Sequence, residues 1–289
     1  MKELVIISGK GGTGKTSIVS AFAALAENKV LCDADVDAAD LHLIMAPEIR
    51  ERHDFRGGSK AFINHEKCTE CGLCRELCRW DAISDEFVVD TISCEGCGVC
   101  WYFCPEKAID FPEQTCGEWY VSETRFGPMV HARLGIAEEN SGKLVTLARQ
   151  EARKLGEVRG LNLILTDGPP GVGCPVIASI GGATAVLIVA EPTVSGRSDM
   201  ERVAQLAAHF RVPALLSVNK FDLNPDEAGT VEAVADEHDI RVLERIPFDS
   251  TFTKAMVEGK TIVEFDGHSE GNRAVKRMWE QVKDFLDGH

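Results

Sequence analysis

The fold of this chain is decided by Leu4-Val5-Ile6-Ile7-Ser8-Gly9-Lys10-Gly11-Gly12-Thr13-Gly14-Lys15-Thr16. Its apolar start predicts a buried parallel strand, and the run from Thr16 to Leu25 predicts a helix. Between them, the pattern Gly-x4-Gly-Lys-Thr has the form of a phosphate-binding loop, in the order of strand, loop and helix that this motif requires. The alternative, a glycine-rich turn that binds nothing, leaves both flanking elements unexplained.

The loop predicts a site for a nucleoside triphosphate and Mg²⁺. Backbone N–H groups of the loop and of the helix N-terminus would hold the phosphates. Lys15 would reach the β- and γ-phosphates, and the hydroxyl of Thr16 would bind Mg²⁺. The residues predicted to contact the nucleotide here are Gly11, Gly12, Thr13, Gly14, Lys15, Thr16 and Ser17.

Further apolar runs, each followed by polar residues, extend this pattern along the chain. They are Lys29 to Asp33, Leu161 to Asp167, Val186 to Ala190 and Ala214 to Val218, and Asp199 to Phe210 predicts one of the helices between them. This alternation is typical of a doubly wound, mostly parallel α/β sheet with helices on both faces. Such sheets bind ligands at the carboxyl ends of their strands, where Asp33, Asp35 and Asp167 stand. Simple solvated caps are the alternative for these three carboxylates.

The eleven cysteines give a second pattern. Eight of them form two copies of Cys-x2-Cys-x2-Cys-x3-Cys, which are Cys68, Cys71, Cys74 and Cys78, then Cys94, Cys97, Cys100 and Cys104. This spacing suits two [4Fe–4S] clusters, and in the bacterial two-cluster arrangement the fourth cysteine of each run ligates the other cluster. The predicted ligand sets are therefore Cys68, Cys71, Cys74 and Cys104 for one cluster, and Cys94, Cys97, Cys100 and Cys78 for the second.

Residues 60–112 contain both runs and resemble a bacterial two-cluster ferredoxin, a small α+β domain. Pro105 follows the second run as in such ferredoxins, whereas Arg79 follows the first run in place of the usual proline. Structural zinc is one alternative, but zinc sites use separated pairs of ligands. Disulfides are another, but they need an oxidising compartment, and Lys2-Glu3 leads directly into a strand without a secretory segment. We therefore expect a reducing, cytoplasmic location.

The positions of the two patterns predict an insertion. Residues 1–59 and 113–289 would form one nucleotide-binding domain, and residues 60–112 would form the inserted ferredoxin domain. The insertion begins soon after the acidic segment from Asp33 to Asp40, so the clusters could respond when that segment moves. A passive tether on a surface loop is the alternative.

Lys10 places the loop sequence in a narrower class of phosphate-binding loops. The stretch Lys10-Gly11-Gly12-Thr13-Gly14-Lys15-Thr16 resembles the deviant Walker A motif of the MinD/ParA group of P-loop ATPases. The whole chain resembles MinD-superfamily ATPases with an inserted two-cluster ferredoxin domain, and more distantly the nitrogenase iron protein and Mrp-type iron–sulfur ATPases. The resemblance implies that ATP is the nucleotide and that two chains, identical or paralogous, form an ATP-dependent dimer. In such a dimer Lys10 would reach the phosphates held by the partner.

The resemblance also implies roles for single residues. Asp33 and Asp35 match the first switch region, as groups that face Mg²⁺ or orient water. Asp167 matches the Walker B aspartate, which holds the water shell of Mg²⁺. Asn219 matches the amide that reads the base, and Pro247 matches a wall of the base pocket.

An ATP-gated electron-transfer protein, slow in ATP hydrolysis when alone, uses every motif found. In this hypothesis hydrolysis drives an electron from the clusters to a redox partner protein. Two alternatives stay open at this point. One is a carrier or assembly factor for iron–sulfur clusters, although such carriers hold a labile cluster on a Cys-x2-Cys pair outside any ferredoxin. The other is a positioning ATPase of the MinD/ParA kind whose clusters sense redox state.

The charge balance limits the partners. The chain has 31 basic and 46 acidic residues and a net charge of −15, which argues against nucleic acid and against an anionic membrane surface as main partners. The sequence has no apolar stretch long enough to span a bilayer. The amphipathic run from Ala274 to Leu286 predicts a helix whose apolar side docks on the core, rather than on a membrane.

Overall fold

The structure of the protein, a computed structural model, describes residues 1–135, 138 and 140–288. It divides into two compact units. The first unit comprises Met1–Arg52, Trp119–Arg133 and Ser141–His289, and the second comprises His53–Glu118 and Leu134–Asn140. The range 60–112, predicted above as an insert, lies within the second unit.

The strands and helices of the described residues are as follows. The strands are β1 (Lys2–Ser8), β2 (Lys29–Asp33), β3 (Glu48–Ser59), β4 (Phe62–Ile63), β5 (Ile109–Asp110), β6 (Glu113–Thr124), β7 (Gly127–Leu134), β8 (Leu163–Pro170), β9 (Ala185–Ala190), β10 (Ala214–Val218) and β11 (Arg241–Val242). The helices are α1 (Lys15–Leu25), α2 (Leu41–Met45), α3 (Leu73–Leu77), α4 (Val99–Phe103), α5 (Ser141–Arg159), α6 (Cys174–Ile180), α7 (Val194–His209), α8 (Pro225–Glu237), α9 (Thr251–Val257), α10 (Ile262–Phe265) and α11 (Glu270–Asp287).

The main sheet, as far as the chain is described, has the strand order β11-β10-β9-β1-β8-β2-β7-β6-β3. Neighbouring strands from β11 to β7 pair in parallel. The central strands are buried on both faces: Leu4 and Ile6 of β1 belong to one apolar core, while Val5 and Ile7 belong to another. The prediction of a doubly wound, mostly parallel α/β sheet is therefore confirmed.

The C-terminal helix α11 packs on the first of these cores, as predicted. The ring centroid of Trp279 in α11 lies 4.9 Å from that of Phe22 in α1. The apolar face of α11 that joins the core consists of Ala274, Val275, Met278, Trp279, Val282 and Leu286. Among the described residues, no helix combines the length and the apolar character needed to cross a bilayer.

One predicted helix begins earlier than expected. The sequence predicts a helix from Asp199, whereas α7 begins at Val194. The hydroxyl of Thr193 accepts a hydrogen bond from the N–H of Gly196 at 3.0 Å, which is the geometry of an N-cap. The cap therefore adds more than one turn to the helix that its apolar pattern predicts.

The second unit repeats one local structure in both cysteine runs. Helices α3 and α4 each begin after a glycine with positive φ, Gly72 at 80° and Gly98 at 72°, a conformation that favours glycine. The third cysteine of each run lies on the helix, Cys74 on α3 and Cys100 on α4. The two-fold repetition seen in the sequence is thus a repetition of backbone geometry.

Candidate functional site

The loop between β1 and α1 depends on its glycines. Gly12 and Gly14 have φ values of 81° and 90°. A Cβ atom on Gly14 would lie 2.4 Å from the Nδ2 atom of Asn219, and one on Gly9 would lie 2.1 Å from the Cβ atom of Asp199. Side chains at these two positions would therefore collide with Asn219, just after β10, and with Asp199 of α7.

Lys15 lies buried in a group of carboxylates. Its Nζ atom donates a hydrogen bond to Asp167 and lies 3.3 Å from Oδ2 of Asp35. Burial alone would lower the pKa of Lys15, but the negative charges of Asp167 and Asp35 outweigh burial and raise it. The sheet register explains the grouping, because Asp33 and Asp167 are direct partners in the pairing of β2 with β8.

Asp33 and Asp35 take different places. Asp33 is fully buried, and its carboxylate accepts hydrogen bonds from the N–H groups of Asp35 at 3.2 Å and Leu41 at 3.3 Å. Burial and the neighbouring Asp167 raise the pKa of Asp33 well above its usual range. Asp35 lines the open cleft, and burial raises its pKa also. Asp33 thus anchors the loop that follows β2, while Asp35 faces the cleft.

Three buried oxygens at this site have no hydrogen-bond partner among the described residues. They are Oγ1 of Thr13, Oδ1 of Asp35 and Oδ2 of Asp167. Buried polar atoms nearly always have partners, so unpartnered ones indicate a ligand or water. Mg²⁺ takes oxygen ligands and keeps several of its waters. The donor set therefore fits hydrated Mg²⁺ with a bound phosphate.

The cleft beside the loop occupies about 1310 Å³, including its open mouth. Residues 11–17 line the cleft. Its apolar and aromatic lining residues include Leu43, Pro247, Phe248, Phe252 and Met256. Apolar and aromatic side chains suit the faces of a nucleobase. Of these wall residues the sequence predicted only Pro247, since α9 carries no motif.

Asn219 is held by backbone groups. Its Nδ2 atom donates to the carbonyl of Thr13 at 2.7 Å, and its Oδ1 atom accepts from the N–H of Lys220 at 3.0 Å. The amide therefore braces the loop against the end of β10. It also lines the cleft, where the remaining N–H of Nδ2 is the group that could contact a base.

Lys10 is paired within its own chain. Its Nζ atom lies 3.2 Å from Oε2 of Glu191, and the Nζ atom of Lys220 lies 2.6 Å from Oε1 of the same carboxylate. Lys220 also donates to the carbonyl of Gly12 at 3.3 Å. Burial would raise the pKa of Glu191, but the two lysines outweigh burial and lower it. Sequence reasoning missed this role of Glu191, because the pairing joins residues that are far apart in the sequence.

Arg125 ties together the two walls of the cleft. Its guanidinium donates to the carbonyl of Ile44 in α2 at 2.7 Å and to that of Gly259, just after α9, at 3.0 Å. It also forms a bidentate ion pair with Glu264 of α10, at 2.7 and 2.9 Å. Sequence reasoning missed this residue as well, since it stands alone in the turn between β6 and β7.

The second unit contains two cavities bounded by cysteines. The first cysteine cavity, about 340 Å³ and partly open to solvent, is lined by Cys68, Cys71, Cys74 and Cys104 among other residues. The second cysteine cavity, about 380 Å³ and partly open to solvent, is lined by Cys78, Cys94, Cys97 and Cys100 among other residues. Each cavity thus combines three cysteines of one run with the fourth cysteine of the other.

The geometry of these thiols differs from that of a single-metal site. Zinc requires its ligands to converge on one point at about 2.3 Å, and among the described residues no three His, Cys, Asp or Glu side chains do so. Four thiols spaced around a cavity suit a cube of iron and sulfide. Each cavity could therefore hold one [4Fe–4S] cluster.

Two proteins of Methanocaldococcus jannaschii are similar to this chain over most of its length. The uncharacterized protein MJ0578 is 31% identical over 287 residues, which cover 98% of this chain and 97% of that protein. The uncharacterized protein MJ0579 is 23% identical over 279 residues, which cover 92% of this chain and 94% of that protein. A shorter match, 40% identical over 50 residues, relates 17% of this chain to 62% of the pyruvate synthase subunit PorD from Methanothermobacter marburgensis.

The fold is similar to that of a solved structure, the septum site-determining protein MinD complexed with Mg-ADP from Pyrococcus horikoshii OT3. That protein is 18% identical, the TM-score is 0.61, and the match covers 98% of this chain and 96% of that chain. The model of the CobQ/CobB/MinD/ParA nucleotide binding domain matches residues 4–262, which include the loop and the residues of the cleft. The chain therefore belongs to the CobQ/CobB/MinD/ParA family of nucleotide-binding domains, with a phosphate-binding loop and the fold of MinD.

Proposed function

We propose that the chain is an iron–sulfur ATPase in which ATP binding and hydrolysis gate electron transfer from two [4Fe–4S] clusters to a partner protein. The observation that carries this proposal is the pair of cysteine cavities, because eight thiols from two sequence runs form two sets of four in space. This sorting agrees with the ligand exchange of bacterial two-cluster ferredoxins. The local similarity to a pyruvate synthase subunit is further support.

At the nucleotide site Lys15 has the central role. Its ammonium group pairs with Asp167 and Asp35, and the charge of a bound triphosphate draws it towards the β- and γ-phosphates. The two carboxylates would hold the water shell of Mg²⁺ through their unpartnered oxygens. The Thr16 hydroxyl is the direct protein ligand of Mg²⁺ in this proposal.

Hydrolysis in this site is phosphoryl transfer to water. The water oxygen bonds to the γ-phosphorus, the bond from that phosphorus to the β–γ bridging oxygen breaks, and ADP, phosphate and a proton leave. Asp35 would orient the attacking water from the wall of the cleft, and Lys15 would stabilise negative charge on the phosphoryl oxygens, a role that bound Mg²⁺ would share. Asp33 contributes by holding the loop that carries Asp35.

Dimer formation completes the proposed site through Lys10. In a single chain Lys10 pairs with Glu191, so it must leave that carboxylate to reach the phosphates of a partner. The partner is a second copy or a paralogue. The presence of two similar full-length proteins in one organism supports a paralogous partner as the alternative to self-association.

The chain itself supplies a short route from the switch to the cysteines. Leu41, the first residue of α2, donates its N–H to Asp33, so α2 is bonded to the end of β2. Only Ala46-Pro47 separates α2 from β3, and β3 ends at Ser59, nine residues before Cys68. A rearrangement of the loop after β2 therefore acts on the backbone that leads to the first cysteine run.

An anaerobic redox titration of the purified protein, followed by electron paramagnetic resonance, tests this proposal. The titration is run without nucleotide, with Mg–ADP and with a non-hydrolysable ATP analogue, and Lys15→Ala is the control. A shift of about 60 mV in a one-electron couple, equal to tenfold in equilibrium or about 1.4 kcal/mol, supports gating. Equal potentials in all three conditions, with two intact cluster signals, would reject gating and favour a positioning ATPase that senses redox state.

A further inference from the structure

Exposed tryptophans lie at the second cysteine cavity. Trp80 lines the second cysteine cavity and is 44% exposed. Trp101, 50% exposed, stacks on Phe111 with ring centroids 6.0 Å apart, and Phe111 lines the same cavity. Tyr102 and Phe103, 74% and 54% exposed, follow on α4. Trp80, Trp101, Tyr102 and Phe103 are called the aromatic rim below.

Among the described residues that line the first cysteine cavity there is no tryptophan, and its exposed aromatic neighbour Phe62 stands beside Ile63. The aromatic residue that lines this cavity is Phe87, which is buried. Single exposed apolar residues are ordinary, but grouped ones mark interaction sites. Trp and Tyr in particular are enriched where proteins bind each other. The asymmetry therefore distinguishes the second cavity as the end of the unit that meets a partner.

The charge around the rim decides what kind of partner fits. Residues 53–118 include 13 Asp or Glu but only 6 Lys or Arg. Asp81, next to Trp80, is exposed, and the exposed Glu95 lines the second cavity. Arg79 is an exposed basic neighbour, and the Nζ atom of Lys60 donates to the carbonyl of Cys94 at 2.8 Å. A second copy of this chain carries the same acidic unit, and an anionic bilayer has the same sign of charge, so both are disfavoured.

We infer that the aromatic rim is the docking surface for a redox protein that presents an apolar contact ringed by Lys and Arg. This inference rests on the proposed function. One electron leaves this chain at the second cysteine cavity and enters the redox centre of the partner, and no atom or proton is transferred. Apolar contact with the rim holds the two centres close, while opposite charges steer the approach.

Cytochrome c, a basic protein with an exposed apolar haem edge, is the probe. Calorimetry measures its binding to the oxidised holoprotein, and anaerobic stopped flow measures its reduction by the reduced holoprotein. We expect Tyr102→Ala, and more strongly Trp101→Ala with Tyr102→Ala, to weaken binding and slow the second-order rate by about tenfold. Both quantities should fall between about 20 mM and about 200 mM salt.

Phe62→Ala is the matched control, because Phe62 is a 42% exposed aromatic residue beside Ile63, which lines the first cavity. It should change neither binding nor rate. Iron content is measured for every variant. If the double variant binds no iron because Trp101 no longer stacks on Phe111, the single variant Tyr102→Ala provides the test.

Three outcomes overturn the inference. Rim variants with wild-type binding and rates, and with full iron, reject the docking surface but leave the proposed function intact. A wild-type protein that binds no iron rejects the proposed function together with the inference. Rim variants that instead lose self-association or binding to anionic vesicles assign the rim to a second copy or to a membrane.

Discussion

Ser122 and His131 are joined by a hydrogen bond, with Oγ of Ser122 2.9 Å from Nε2 of His131 on strands β6 and β7. His131 stands opposite Asp33 in the pairing of β7 with β2, and its ring stacks on Tyr120 with centroids 4.8 Å apart. Burial and the nearby His42 lower the pKa of His131 to about 4. A buried neutral histidine therefore lies on the strand next to the acidic residues of the nucleotide site.

We expect the stability of the protein to depend on the protonation of His131. The unfolded chain takes up the proton near pH 6.5 and the folded chain only near pH 4, so stability is full above about pH 6.5 and falls as the pH drops. By pH 5 the loss is about 2 kcal/mol. Urea unfolding at about pH 7.5 and about pH 5 should show that His131→Gln lacks this loss, while the exposed His209→Gln keeps it. Equal pH dependence in wild type and His131→Gln would contradict the assignment.

Lys15→Ala should abolish binding of Mg–ATP and lower stability at neutral pH. Removing the ammonium leaves the buried Asp33, Asp35 and Asp167 without a compensating charge, which costs about 3 kcal/mol or more. Because protonation relieves this repulsion, the loss should shrink towards pH 5. Isothermal calorimetry and urea unfolding provide the two readouts. Lys29→Ala, which removes a buried lysine bonded to the carbonyl of Ala26, should keep nucleotide binding. A Lys15→Ala protein that still bound Mg–ATP would refute the role of Lys15.

Arg125→Ala should widen the cleft by freeing α2 from α9 and α10. We expect weaker ATP binding with little change in the turnover of bound ATP, since Arg125 contacts the walls and not the phosphates. The Arg125 guanidinium lowers the pKa of Glu264 to about 2. The coupling energy between the two side chains, about 1–3 kcal/mol in a double-mutant cycle, should therefore be present above about pH 4.5 and vanish as the pH falls towards 2. Additive effects of the two single substitutions at neutral pH would argue against a stabilising interaction between Arg125 and Glu264.

Cys71→Ala should remove the iron of the first cysteine cavity and leave the second loaded. Iron analysis should then give about four iron atoms per chain in place of about eight, with Mg–ATP binding unchanged. Cys116→Ala is the control, because Cys116 is buried in the same unit and lines neither cysteine cavity. Unchanged iron content in Cys71→Ala would show that the ligand assignment is wrong.

Glu191→Gln should favour the proposed ATP-dependent dimer. The neutral amide holds Lys10 less firmly, and a partly exposed ion pair contributes about 0.2–1 kcal/mol, so the dimer dissociation constant should fall by up to about fivefold. Sedimentation with a non-hydrolysable ATP analogue measures the constant. Glu232→Gln, which breaks the ion pair with Arg245, is the matched control. A weaker dimer in Glu191→Gln would mean that Glu191 supports the interface.

Local patterns allowed much of the fold to be predicted. The loop from Gly9 to Gly14 could be placed because its glycines, its strand and its helix are adjacent in sequence. Asp33 and Asp167 could be brought together because strand ends of one parallel sheet share an edge, and their pairing confirms that reasoning. The two sets of four cysteines could also be predicted, because the shape of a [4Fe–4S] cluster determines the spacing of the cysteines that bind it.

The unpredicted features depend on contacts between distant segments. Arg125 and Glu264 are 139 residues apart, and neither belongs to a recognisable pattern. The apolar side chains that α9 contributes to the cleft belong to a short helix with no recognisable motif. The ion pair between Glu191 and Lys10 joins the end of β9 to the loop after β1. Such contacts can be predicted only when the order of strands in the sheet is known, because that order determines which strand ends lie together.

The fourth cysteine of each run lines the cavity of the other run, so each cavity depends on both runs. Cys78 lies in the first run but lines the second cavity, and Cys104 lies in the second run but lines the first. A fragment with either run alone contains neither complete set of thiols. Neither run could therefore have served as an independent four-thiol site in its present form, and loss of one run by deletion would disable both halves at once.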